Sequence, residues 1–197
     1  MSFLYQIRRL LSIPIHYVKW LRARIVFSDF GFHSYADTFL RIQGGKNISI
    51  GDNVRINKQC WFAALPLTGS EKARLTIDDG SVIGDFNHIW ATKSIKIEKY
   101  VLTANHVYIS DNLHGYEIIE EPIVKQPVIQ LDEVIIGEGS WIGENVCIIG
   151  ASIGKHCTIG ANAVVTKDIP DYCVAVGVPA KVIKRYNFEK QLWEMVN

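Results

Sequence analysis

Acidic residues are missing before Asp29, cysteines are few, and no long uninterrupted apolar run occurs. Each absence excludes something. The four cysteines, Cys60, Cys147, Cys157 and Cys173, form no C-x-x-C pair. So few thiols in 197 residues are no disulfide framework, and they read as free thiols of a reducing compartment. A surplus of positive charge is lacking too. The net charge of +1 argues against a nucleic-acid partner, which asks for a basic surface. Without a clean apolar stretch there is no spanning helix and no secretory signal, so the expected location is cytoplasmic. At 48% hydrophobic residues the chain has the composition of an ordinary globular domain.

The acid-free start holds Arg8, Arg9, Lys19, Arg22 and Arg24 among Leu4, Ile7, Leu10, Leu11, Val18, Trp20, Leu21 and Ile25. Residues 1–30 therefore read as a basic amphipathic segment, partly helical, with Pro14 as a break or kink. Such a segment caps the open end of a core, or lies in a membrane interface at the inner face through residues 1–27.

What is present in excess is a period. From Ile136 an aliphatic residue returns every six positions at Ile142 and Ile148, then, after a slip of one, at Ile153, Ile159 and Val165. Glycine follows at Gly137, Gly143, Gly154 and Gly160. Looser copies are "ISIGDNVRIN", "LTIDDGSVIGDFNHI" and "IKIEKYVLTANHVYI". A period of six fits neither a helix nor a simple two-sided strand. It fits short strands separated by corners, three to a coil, with aliphatics inward and glycine, small or polar residues at corners where φ > 0 is needed. Ile48 to Ile169 accommodates about five or six coils. A non-periodic loop, about 111–131, interrupts them. After the solenoid, Phe188, Leu192, Trp193 and Val196 have helical spacing and predict a C-terminal helix over 185–197.

The run "IGEGSWIGENVCIIGASIGKHCTIGANAVVTKDIP" followed by "GVPAKVIK" resembles the hexapeptide-repeat acyltransferases, closest to the sugar and polysaccharide O-acetyltransferase branch. The resemblance implies an all-β solenoid, a left-handed parallel β-helix over 31–184. It implies an enzyme that transfers acetyl from acetyl-CoA to a sugar or glycan hydroxyl, with no metal required. It also implies a homotrimer with sites between subunits. In this branch the base is the histidine where the chain leaves the coil for the loop, and "ISDNLHG" brings His114 to that position. Imidazole suits the task near neutral pH; a hydrogen-bonded loop histidine is the plain alternative. Many polysaccharide acetyltransferases carry D-H-x-H-G there, and this chain has Asn112 in place of the first histidine. Asn112, Asn87 and Trp141 fall on the substrate side. Ala161, Thr166, Lys167 and Lys184 match the positions that border coenzyme A. N-acetylation of an amino-sugar nucleotide, O-acetylation of a small molecule, and a non-catalytic scaffold are the other readings.

Overall fold

The computed structural model describes residues 17–196. The expected kink at Pro14 lies outside the described residues. Parallel strands stack into three sheets that form the faces of a triangular solenoid. Face one stacks Asp29–Phe30, Ile48–Ile50, Arg74–Ile77, Ser94–Ile97 and Val134–Ile136, and single bridges carry it on through Ile153 to Ile169. Face two runs from Tyr35–Ala36 through Arg55–Ile56, Val82–Ile83, Leu102–Thr103, Trp141–Ile142 and Thr158–Ile159 to Cys173–Val176. Face three stacks Phe39–Gln43, Cys60–Ala64, His88–Ala91, Tyr108–Ser110, Cys147–Ile149 and Val164–Val165. One full coil precedes the first that the repeat marks, because 29–43 makes the strands without writing Ile-Gly.

The core is the column of inward aliphatics. Leu75, Ile95 and Val134 stand in register on face one, as do Ile77, Ile97 and Ile136, and all are buried. Helix α1, described over 17–26, closes the first coil by burying Ala23 and the adjoining Phe27. Lys46 donates to the carbonyls of Ile25 (2.6 Å) and Phe27 (3.2 Å), placing a cation where the helix leaves carbonyls unpaired.

The repeat glycines serve a different purpose from the expected one. Left-handed corners fall mostly on other residues, among them Asn53, Phe86, Tyr100, His106, Asn145, His156 and Asn162. Gly137 and Gly154 are needed for close approach. A Cβ on Gly137 would lie 2.5 Å from the Gly154 carbonyl carbon, and one on Gly154 would lie 2.4 Å from the Asp171 nitrogen. The obstacle is backbone, which cannot move without separating coils. Gly137→Ala is expected to cost about 1–3 kcal/mol, read as a lower urea midpoint.

The predicted C-terminal helix is not formed. Lys181–Asn187 pairs antiparallel with Cys173–Val176, and Leu192–Met195 pairs with Lys181–Asn187. The open edge of Cys173–Val176 offers ladder hydrogen bonds that a helix would forgo. The Asn187 carboxamide oxygen accepts from the amides of Glu189 and Lys190, both at 3.0 Å, which turns the chain back. Tyr186 then stands opposite Trp193, ring edge to face at 5.5 Å. The amphipathic spacing is spent on a hairpin.

Candidate active site

The interruption leaves the corner between faces three and one, after the fourth coil. It returns as a two-stranded arm in which Asn112–His114 pairs antiparallel with Val128–Gln130. Asp111 anchors it. This fully buried carboxylate accepts from the backbone amides of Thr92 (2.7 Å), Lys93 (2.7 Å) and Ser94 (2.8 Å) and from the Asn112 side chain (3.0 Å). Burial alone would raise its pKa, but the donors from Asn112, Thr92 and Lys93 overcome that and hold it below the ordinary carboxylate value. Gln130 fixes the returning strand: its amide donates to the carbonyls of Asp111 (2.7 Å) and Leu131 (3.0 Å). Its carbonyl accepts from Thr68 in the shorter insertion 65–73.

His114 stands on this anchored arm, opposite Val128 and exposed, with no side-chain hydrogen bond or ion pair among the described residues. Strand alternation puts Asn112 and His114 on one side of the ribbon and Leu113 on the other. Leu113 borders a groove of about 580 Å³, lined also by Gln130, Leu131, Ile149, Gly150 and Thr166. Gly150, at φ 57°, lets Leu131 close against the corner, since a Cβ there would lie 2.6 Å from that of Leu131.

The remaining candidates are scattered over the triangle. Thr166 and Lys167 are exposed at the corner between faces three and one. Ala161 is exposed at the corner between faces two and three, stacked beneath Gly143. Lys184 is half-buried in the hairpin that extends face two. Trp141 is 49% exposed on face two, across the triangle from the arm. Of these, Thr166 lines the groove beside the arm.

Asn87 and Asn112, both expected on the substrate side, are buried. Asn87 donates to the carbonyls of Asp85 (3.2 Å) and Ala104 (2.8 Å), which holds a corner. Asn112 donates to the Trp90 carbonyl (3.1 Å) and to Asp111. At the position of the missing histidine, the asparagine is thus part of the arm's root. His106 belongs to another corner, where its ring lies 3.1 Å from Glu144.

Sequence reasoning passed over the outer surface of face three. Trp61, His88 and Tyr108 occupy one register column, with Trp61 and His88 stacked at 4.2 Å and Arg41 over Trp61. Burial lowers the His88 pKa and favours the neutral ring. The signal was available, since all three follow a corner at the same position in successive coils.

Known proteins bear on this geometry. A family model described as a hexapeptide repeat of succinyl-transferase matches residues 133–167. Over 160 residues the chain is 32% identical to the "Putative lipopolysaccharide biosynthesis O-acetyl transferase WbbJ" of Escherichia coli (strain K12), covering 78% of this chain and 79% of that protein. The chain belongs to the hexapeptide-repeat acetyltransferase family. It is 34% identical to the "Probable acetyltransferase Rv3034c" of Mycobacterium tuberculosis over 89% of its own length, but spans only 55% of that protein. Among solved structures, AntD, an N-acyltransferase from Bacillus cereus, superimposes with a TM-score of 0.71 at 21% identity, over 86% of this chain and 90% of that one. That likeness shows the fold, the left-handed parallel β-helix of this acyltransferase family.

Proposed function

We propose that the protein is an acetyl-CoA-dependent O-acetyltransferase that acetylates a sugar hydroxyl, of a bacterial surface polysaccharide or its precursor, with His114 as general base. The observation that carries this reading is an exposed imidazole, without a side-chain hydrogen bond among the described residues, on an arm rooted by a buried carboxylate. A base must be held in place without being neutralised by its support, and this arrangement does both.

In this reaction His114 takes the proton of the acceptor hydroxyl as its oxygen attacks the thioester carbonyl. The tetrahedral oxyanion collapses, the ester forms and the C–S bond breaks. The imidazolium then returns its proton to the departing thiolate. Backbone amides along the coil edges are suitable oxyanion donors. Thr166, Lys167 and Lys184 are suited to the polar and phosphate parts of the donor, and Ala161 to close passage of its arm. Since Trp141 lies on face two, across the triangle from the arm that carries His114, a site using both draws Trp141 from a neighbouring solenoid, in keeping with a homotrimer whose sites lie between subunits.

The test is thiol release from acetyl-CoA with simple sugars, nucleotide sugars, amino-sugar nucleotides and extracted surface polysaccharide as acceptors. Release with a hydroxyl acceptor is the expected result. Release only with an amino sugar would replace O-acetylation by N-acetylation, and no binding of acetyl-CoA would overturn the enzymatic reading.

A further inference from the structure

Helix α1 is amphipathic in an unusual sense, because its solvent side is the apolar one. At about 100° per residue, Tyr17, Leu21, Ile25 and Val18 fall within one sector of about 100°. The centre of that sector lies opposite Ala23, the residue buried against the first coil. Leu21 is 41% exposed and Ile25 72% exposed. A helix that only capped the core would place polar residues there.

Charge is arranged around the stripe. Exposed Arg22 borders one side and exposed Arg24 the other, with the Arg24 guanidinium 5.0 Å above the Trp20 ring. Phe32, exposed on the first coil, extends the apolar surface from Trp20, the ring centroids being 5.9 Å apart. Up to Gly51 the sequence holds seven basic residues and two acids, Asp29 and Asp37, and Asp37 is paired with Lys19 at 3.3 Å. Among the described residues no helix is long and apolar enough to cross a membrane.

We infer that this end of the solenoid docks on the surface of an anionic lipid bilayer, with Leu21 and Ile25 entering the interface and Arg22 and Arg24 meeting the headgroups. Flanking arginines and the scarcity of acids favour lipid over a second copy of the chain, which would bring the same positive charges together. The docking itself does not depend on the acetyltransferase reading. If that reading holds, the geometry suits a membrane-attached acceptor. The arm leaves the fourth coil, three coil spacings of about 4.8 Å from the first, so roughly 14 Å of stack separates its root from the docked end.

The experiment is pelleting of the full chain with vesicles of phosphatidylcholine alone or mixed with phosphatidylglycerol, with the oligomeric mass measured in parallel. The expected result is pelleting with the anionic vesicles, weakened by salt. The double variant Leu21→Glu, Ile25→Glu should lower the bound fraction at least about tenfold at unchanged mass and unfolding temperature. Absence of pelleting with anionic vesicles, or equal pelleting of the double variant, would overturn the inference. So would a fall in oligomeric mass in the variant, which would assign the stripe to a second copy.

Discussion

Asp111→Ala is expected to lower stability by about 4 kcal/mol and to release the arm. The carboxylate satisfies three consecutive backbone amides, Thr92 to Ser94, where face three of one coil turns into face one of the next. Alanine leaves these donors without an acceptor in a buried corner, at roughly 1–3 kcal/mol each, offset in part by water entering the space. Asp111→Asn keeps the shape but sets an NH₂ group against amide donors, so it should also destabilise, by less. The measurement is the urea midpoint of both variants, with protease cleavage within 111–131 as the local readout. Wild-type stability in both variants would remove Asp111 as the arm's root.

The same carboxylate gives a pH dependence with a definite sign. Its folded pKa is depressed, through the Asn112, Thr92 and Lys93 donors acting against burial. Its contribution is therefore complete above the unfolded carboxylate value of about 3.9 and is lost as pH falls through the lower folded value. Acid unfolding should set in below about pH 4, and the urea midpoint of Asp111→Ala should be less acid-sensitive there than that of the wild type.

The solenoid was legible because its period is written in buried residues. Ile136, Ile142, Ile148, Ile153 and Ile159 all point inward, and no shorter regular element repeats at six. The reason for the glycines was not legible. A requirement for small size and a requirement for positive φ leave the same letter, and only stacked coils show that Gly137 and Gly154 meet backbone. The C-terminal hairpin was hidden for a related reason: whether Leu192 and Trp193 go into a helix or a strand depends on the open edge of Cys173–Val176, a partner remote from the local pattern. The exit point of the arm, and the place of His114 on it, could be reached by counting along the coils. The role of Asp111 could not, because its partners lie seventeen to nineteen residues earlier, one coil away. The part of Asn112 in the anchor was equally hidden, since its side chain reaches the Trp90 carbonyl one coil away as well as Asp111.

His114→Ala is expected to lower kcat about 10²–10⁴-fold while leaving the affinity for acetyl-CoA unchanged. The separation follows from the architecture. The groove beside Thr166 is bounded by Leu113, Gln130 and Leu131, and His114 is not among the residues that line it. Its loss removes a proton acceptor from the chemical step without altering that groove. Because the side chain is exposed and makes no hydrogen bond among the described residues, the variant should also unfold at the wild-type temperature, unlike Asp111→Ala. Turnover and acetyl-CoA affinity are measured on one preparation, with added imidazole as a rescue. Partial recovery with imidazole would identify the missing function as proton transfer, which a merely structural histidine would not show. Full turnover in the variant would remove His114 from the mechanism while leaving the fold assignment intact, since the coils do not depend on it.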